Sequence, residues 1–130
     1  MKDFDRFITY LEEREGWTFG YSNAPQTHDC ARFCGGAVEA ACGSNPLAKF
    51  DGAWTSERGA KRVLARYGGM GAAISTVMNE IPVTIAQRAD VGMTTDGELV
   101  LFDGDGIIGL DRHRGYVRGP RSQAVRAWTV

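Results

Sequence analysis

Cys30 is the residue of this sequence whose type and position best suit covalent chemistry. It follows Thr27-His28-Asp29 and opens a stretch with a helical apolar pattern. A thiol at the first turn of a helix feels the positive end of the helix dipole and nearby unpaired N–H groups, which favour the thiolate and can hold an oxyanion. The position predicts a nucleophile. The alternative is a small buried apolar side chain, the usual state of a free cysteine.

A nucleophilic thiol needs a base, and the sequence has two histidines. His28 stands two residues before Cys30, where the turn constrains its ring. His113 lies between Arg112 and Arg114 in a charged segment between two predicted strands. His113 is therefore the candidate base, and a solvated surface turn is the alternative interpretation of the same segment.

The cysteines do not have the spacing of a metal site. Cys34 and Cys42 would lie about 12 Å apart along one helix, and the sequence lacks the paired C-x₂-C pattern of zinc modules. Residues 104–109 match G-x-G-x-x-G, but no helical pattern follows them, as a dinucleotide site would require. We expect neither a metal nor a cofactor.

Composition limits the classes of protein that this chain can be. The 130 residues suit one domain over residues 1–130, with 43% hydrophobic and 24% charged residues, as in soluble globular proteins. A net charge of −1 gives no basic footprint, so no nucleic-acid partner is expected. No apolar stretch approaches the roughly 20 residues that span a bilayer. The acidic start, Met1-Lys2-Asp3-Phe4-Asp5, is unlike a signal peptide, which predicts synthesis in the cytoplasm.

Helical patterns come first along the chain and strand patterns second. The predicted helices cover residues 3–15 (with Phe4, Phe7, Ile8 and Leu11 inward), 30–42 (capped by Asp29 and Gly43), 56–67 (with Tyr67 inward) and 71–79, and a loop covers 17–26. The predicted strands cover residues 89–94, 98–102, 106–110, 116–118 and 126–130. This order predicts an α+β domain in which N-terminal helices pack on a small antiparallel sheet.

Charge is segregated late in the sequence. Residues 90–105 carry five acids and no base, whereas residues 112–126 carry five arginines and no acid. The pattern suggests two faces of a sheet that dock onto differently charged neighbours. A pair of solvated sheet edges is the alternative.

Several short motifs resemble those of one known family. They are Trp17-Thr18-Phe19-Gly20, Asp29-Cys30, Cys42-Gly43-Ser44-Asn45-Pro46, Gly59-Ala60, Ala89-Asp90-Val91 and Ala127-Trp128-Thr129-Val130. Together they make the chain similar to the NlpC family of papain-like peptidoglycan hydrolases, and within it to a compact branch from phage and prophage tail genes. The resemblance covers almost the whole chain.

The resemblance implies a papain-like NlpC-type domain with Cys30 as nucleophile and a histidine at the start of the strand after residues 89–91. Residues 98–102 and 106–109 contain no histidine. The leading expectation is therefore a structural component of a phage tail tip or tail assembly, made in the host cytoplasm and carried in the virion, with other proteins of the tail-tip hub as partners. The alternative is an active cysteine peptidase that uses Cys30 and His113 on peptidoglycan stem peptides during phage entry. A small-molecule amidase or toxin-like enzyme is a third possibility.

Overall fold

The structure, a computed structural model, describes residues 2–22 and 24–130. Its regular elements are α1 (Phe4–Glu13), β1 (Thr18–Phe19), β2 (Thr27–His28), α2 (Cys30–Cys42), α3 (Glu57–Ala65), α4 (Met70–Ser75), β3 (Asn79–Ile81), β4 (Val91–Thr94), β5 (Leu99–Asp103), β6 (Gly106–Asp111), β7 (Gly115–Pro120) and β8 (Ala124–Thr129). Short 3₁₀ turns lie at Ala48–Phe50, Val83–Ile85 and Arg121–Gln123. The predicted α+β class is confirmed.

Six of the strands form one antiparallel sheet in the order β3-β8-β4-β5-β6-β7. Strands β4 to β7 follow one another as a meander, and β8 returns to lie between β3 and β4. β1 and β2 form a separate two-stranded parallel pair. The five predicted strands are all present, but β3 was missed: the predicted helix over residues 71–79 ends at Ser75 in the structure, and residues 80–81 were assigned to no element.

Helix α2 has the boundaries and caps that the sequence predicts. The Asp29 carboxylate accepts a hydrogen bond from the Arg32 amide at 2.9 Å, and Gly43 ends the helix with φ of 91°. Gly36 lies directly against the ring of Tyr10 in α1, with no room for a Cβ atom between them. The absence of a side chain at this position therefore allows α1 and α2 to approach closely.

Helix α1 buries part of the face that the sequence predicts: Phe7 and Leu11 are buried as predicted, whereas Phe4 and Ile8 are not. Phe4 and Ile8 are 39% and 44% exposed, and the buried residues are Phe7, Tyr10 and Leu11. Tyr10 can enter the core because its hydroxyl donates to the Phe33 carbonyl at 2.7 Å. This hydrogen-bond partner, in the neighbouring helix α2, satisfies the tyrosine hydroxyl in the interior, whereas Phe4 and Ile8 remain exposed.

Two other predictions, one of a helix and one of a loop, need correction. α3 ends at Ala65, so Tyr67 lies beyond the helix and is 38% exposed instead of facing inward. The segment 17–26, predicted as a loop, contains β1. A strand of two residues gives no periodic sequence signal, and its pairing depends on β2.

The main core lies between the helices and one face of the sheet. Trp128 of β8 is fully buried in it and donates through its indole N–H to the Ser75 hydroxyl at 2.9 Å. A smaller apolar cluster, which includes Val100, Phe102 and Ile107, is separate from this core. None of the helices in the described residues is long and apolar enough to cross a membrane.

Candidate functional site around Cys30

Cys30 is the first residue of α2, and the beginning of β5 is close to it. The backbone N–H groups of Leu99, at the start of β5, and of Cys30 itself both act to lower the pKa of the Cys30 thiol. The N–H groups that favour the thiolate therefore come from the sheet as well as from the start of the helix.

These donors do not produce a thiolate at neutral pH. Burial raises the pKa of the Cys30 thiol to about 11, and the negative charges of Asp29 and Glu98 act in the same direction. The N–H groups of Leu99 and Cys30 lower this pKa but do not compensate for burial. The Cys30 side chain is therefore a neutral thiol near pH 7.

Cys30 lies in a groove of about 380 Å³, which we call the Cys30 groove. Side chains from α3, α4, the β4–β5 turn and the end of β6 surround it. Its larger apolar residues are Phe19, Tyr21, Trp54, Leu64, Met70, Leu99 and Leu110, and its charged residues are Asp29, Glu57, Lys61, Asp96, Glu98 and Arg112. The groove is therefore a mixed surface, apolar in part and with carboxylates near the sulfur.

Asp29 has a structural task in this groove. It is 2% exposed, and one carboxylate oxygen caps α2 through the Arg32 amide. The other oxygen accepts from the indole N–H of Trp54 at 2.7 Å and lies 3.7 Å from the Arg32 guanidinium. Asp29 thus fixes both the start of α2 and the Trp54 side chain, and its oxygens are already engaged.

His28 is packed as a core residue. Its ring lies between Trp17 and Phe33, with ring centroids 5.3 and 5.1 Å away, and neither ring nitrogen finds a hydrogen-bond partner in the part of the chain that the structure describes. Burial, together with the charge of Arg14, lowers the pKa of His28 to about 4. The ring is therefore neutral near pH 7.

His113 lies on the exposed turn between β6 and β7, where its backbone N–H donates to Asp111. Among residues 2–22 and 24–130, neither histidine lines the Cys30 groove. The neighbour of His113, Arg112, does line it: its guanidinium lies 4.8 Å from the Phe19 ring centroid and 3.3 Å from Glu57. The structure therefore does not bring His113 together with Cys30.

Glu98 and Tyr21 line the Cys30 groove, although neither was predicted to have a function there. Glu98 immediately precedes β5, and its carboxylate is one of the charges that act on the Cys30 thiol. Burial raises the pKa of Tyr21, and the positive charge of Arg112 acts in the opposite direction. The family resemblance expects a histidine at the start of this strand, where the sequence has Glu98. Tyr21 lies in the segment 17–26, which was predicted only as a loop.

The late arginines are largely engaged within the chain. Arg118 pairs with Asp103 at 2.6 Å, and Arg126 forms two hydrogen bonds with Glu80 at 2.8 and 2.9 Å. Arg121 donates to three backbone carbonyls. These contacts weaken the hypothesis of a free basic docking face. In the described ranges, no three His, Cys, Asp or Glu side chains are arranged to hold a metal ion.

The fold and the groove define a small α+β domain in which a neutral thiol lies where a helix start meets an antiparallel sheet. A family model described as a domain of unknown function, DUF6950, matches residues 2–130. The chain belongs to this family. Neither a curated protein nor a solved structure matches it.

Proposed function

We propose that this chain is a non-catalytic structural component of a phage tail tip or tail assembly, built on an NlpC-type papain-like fold. The observation that carries the loss of catalysis is the surroundings of the Cys30 sulfur. Asp29 and Glu98 are the charged side chains that act on the thiol, and both disfavour its ionisation.

A cysteine peptidase must transfer the thiol proton to a base before or during attack on the amide carbon. Because burial raises the pKa of the Cys30 thiol to about 11, the thiolate is scarce at pH 7. The carboxylate oxygens of Asp29 are engaged by Arg32 and Trp54, and neither histidine of the described residues lines the groove as a proton acceptor. The site therefore lacks an efficient first step for acyl transfer.

The papain-like assignment is supported by how the helix and the sheet meet. Cys30 opens α2 next to the first residue of β5, the strand that follows the Ala89-Asp90-Val91 segment. This is the strand at which the family resemblance expects the base. Asp90 and Trp128, from two of the resembling motifs, are both buried.

The placement in a phage tail rests on the same resemblance, since its motifs are those of a branch found among tail genes. In this proposal the chain is made in the host cytoplasm and resides in the virion tail, in contact with other proteins of the tail-tip hub. The fold then serves as a building block, and Cys30 contributes packing instead of catalysis.

The test combines thiol reactivity with phage infectivity. We expect slow iodoacetamide labelling of Cys30 near neutral pH, no cleavage of muropeptides, the chain in purified tails, and infectious particles from a Cys30→Ser phage. Cys42→Ser serves as the matched control because Cys42 is also partly exposed and lies at the other end of α2.

Two results would overturn the proposal. Rapid labelling of Cys30 together with muropeptide cleavage that Cys30→Ser abolishes would make the chain an active cysteine peptidase. Absence of the chain from purified tails would remove its structural role there.

A further inference from the structure

We propose that the Cys30 groove docks a lysine side chain, presented on an apolar segment of a neighbouring protein, with its ammonium against Glu98. The identity of the neighbour as another tail protein rests on the proposed function. The binding chemistry of the groove does not depend on the proposed function.

The charges of the groove are compensated unevenly. Glu57 pairs with Arg112 at 3.3 Å and with Lys61 at 3.7 Å, and Asp29 is held by Trp54 and the start of α2. In the described part of the chain, by contrast, no side chain forms an ion pair or hydrogen bond with the carboxylates of Asp96 and Glu98. The β4–β5 turn thus brings two unpaired negative charges to the groove.

The rest of the groove offers apolar contacts beside these charges. Leu64, Met70 and Leu110 contribute side chains from three different elements, and Trp54 is fixed by Asp29. The volume of about 380 Å³ is within the range of sites that enclose a small ligand or a few side chains. The neutral thiol of Cys30 adds a small contact that carries no charge.

A lysine side chain matches this combination better than an acidic or a wholly apolar side chain. Its four methylene groups can lie along Leu64 and Met70, and its compact ammonium can reach carboxylates at the edge. An acidic side chain would be repelled by Asp96 and Glu98. A wholly apolar side chain would cover the same surface but would remove water from these carboxylates without replacing it.

The test is a titration of the isotope-labelled full chain with acetyl-Leu-Lys-Leu-amide, followed through the backbone amide signals of Gly97 and Leu99. A second peptide with norleucine in place of lysine has the same stem without the charge. Glu98→Gln is the test variant. Asp105→Asn is the control, because Asp105 is exposed on the β5–β6 turn and does not line the groove.

We expect the lysine peptide to bind more tightly than the norleucine peptide. Glu98→Gln should weaken the lysine peptide about fivefold, as the loss of a favourable charge pair predicts, and should leave the norleucine peptide unchanged. Added salt should weaken only the lysine peptide, because mobile ions screen the carboxylates. Asp105→Asn should bind both peptides like the natural chain.

Equal binding of the two peptides, or equal affinity of Glu98→Gln and Asp105→Asn for the lysine peptide, would overturn the proposal. So would shifts at Gly97 and Leu99 that arise from protein concentration alone, since a second copy of the chain would then occupy the groove. These outcomes are independent of tail composition and infectivity. The docking proposal and the proposed function can therefore fail separately.

Discussion

Two sets of groups act on the Cys30 sulfur in opposite directions. Burial and the carboxylates of Asp29 and Glu98 raise the thiol pKa, and the N–H groups of Leu99 and Cys30 lower it. Of the groups that raise it, Glu98 is the one that a substitution can change with the least disturbance, because it is exposed and has no ion-pair partner in the described residues, whereas Asp29 caps α2. Residue 98 is thus the position at which thiol reactivity can be tested directly.

Glu98→His should make Cys30 more reactive. The substitution removes a negative charge near the sulfur and supplies an imidazole that can accept its proton, so the thiol pKa should fall. We expect iodoacetamide labelling at pH 7.5 to become at least about tenfold faster, measured in a Cys42→Ser background. Glu98→Gln removes only the charge and should give a smaller increase. Labelling rates equal to that of the natural chain in both variants would show that burial alone controls the thiol.

His28 makes the stability of the chain sensitive to acid. Its pKa is lowered to about 4 in the folded state from about 6.5 in the unfolded chain. Above pH 6.5 the ring is neutral in both states. Between pH 6.5 and 4 only the unfolded state takes up the proton, so folding stability is lost as the pH falls through this window, by about 3 kcal/mol in total.

His28→Phe should remove this part of the pH dependence while keeping an aromatic ring between Trp17 and Phe33. Urea unfolding at pH 7.5 and pH 4.5 measures the difference in free energy of unfolding. His113→Gln, at an exposed position, is the control and should unfold like the natural chain at both pH values. If His28→Phe loses as much stability on acidification as the natural chain does, the acid sensitivity originates elsewhere.

Helix α2 positions the site because its ends and one of its faces are fixed. Asp29 determines that the helix begins at Cys30, and Gly43 ends it. Gly36 sets the distance to α1, since a Cβ atom there would collide with the Tyr10 ring. The same tyrosine donates to the Phe33 carbonyl, so the two helices are joined by a polar contact as well as by close packing.

Gly36→Ala should destabilise the chain even though alanine is the better helix former. The helix preference alone would stabilise it by about 1 kcal/mol, but the new methyl group must displace Tyr10 from its hydrogen bond, and such overpacking costs about 1–3 kcal/mol. Denaturant unfolding should show a net loss. Gly16→Ala is the matched control, because nothing lies within 4 Å of a Cβ atom at that position. Equal stability of the two variants would mean that the α1–α2 contact has room to adjust.

The sheet brings together segments that are far apart in the sequence. β8, the last strand, lies between β3 and β4, so the end of the chain completes the sheet. The carboxylate of Asp90, just before β4, accepts hydrogen bonds from the Lys2 ammonium and the Thr129 hydroxyl, each at 2.7 Å. It also accepts one from the backbone N–H of Gln87, at the same distance. Segments from both ends of the sequence therefore meet at one buried carboxylate.

Trp128→Ala should cost about 3–5 kcal/mol of folding stability, because the ring is fully buried in the main core and its removal leaves a large cavity. Ser75 would also lose its indole partner. The loss should appear as a large fall in melting temperature. Val125→Ala, in the same strand but 52% exposed, is the control and should change little. An unchanged melting temperature for Trp128→Ala would contradict the burial of this ring in the main core.

The elements that the sequence determined are those whose signals are local. Asp29 and Gly43 mark the ends of α2 by interactions within a few residues, and short apolar runs between turn residues mark five strands of the sheet. The position of Cys30 at a helix start followed from these signals. The expectation of a histidine at the beginning of β5 came instead from the family resemblance.

The tertiary structure alone decided which groups surround the sulfur and what they do to it. Tyr10 displaced Phe4 and Ile8 from the core because its partner lies on another helix, and Glu98 and Leu99 reach Cys30 only because β5 packs against α2. Burial and electrostatic fields depend on groups that are far apart in the sequence and close in space. The helix start predicted a thiolate, whereas the packed structure produces a neutral thiol.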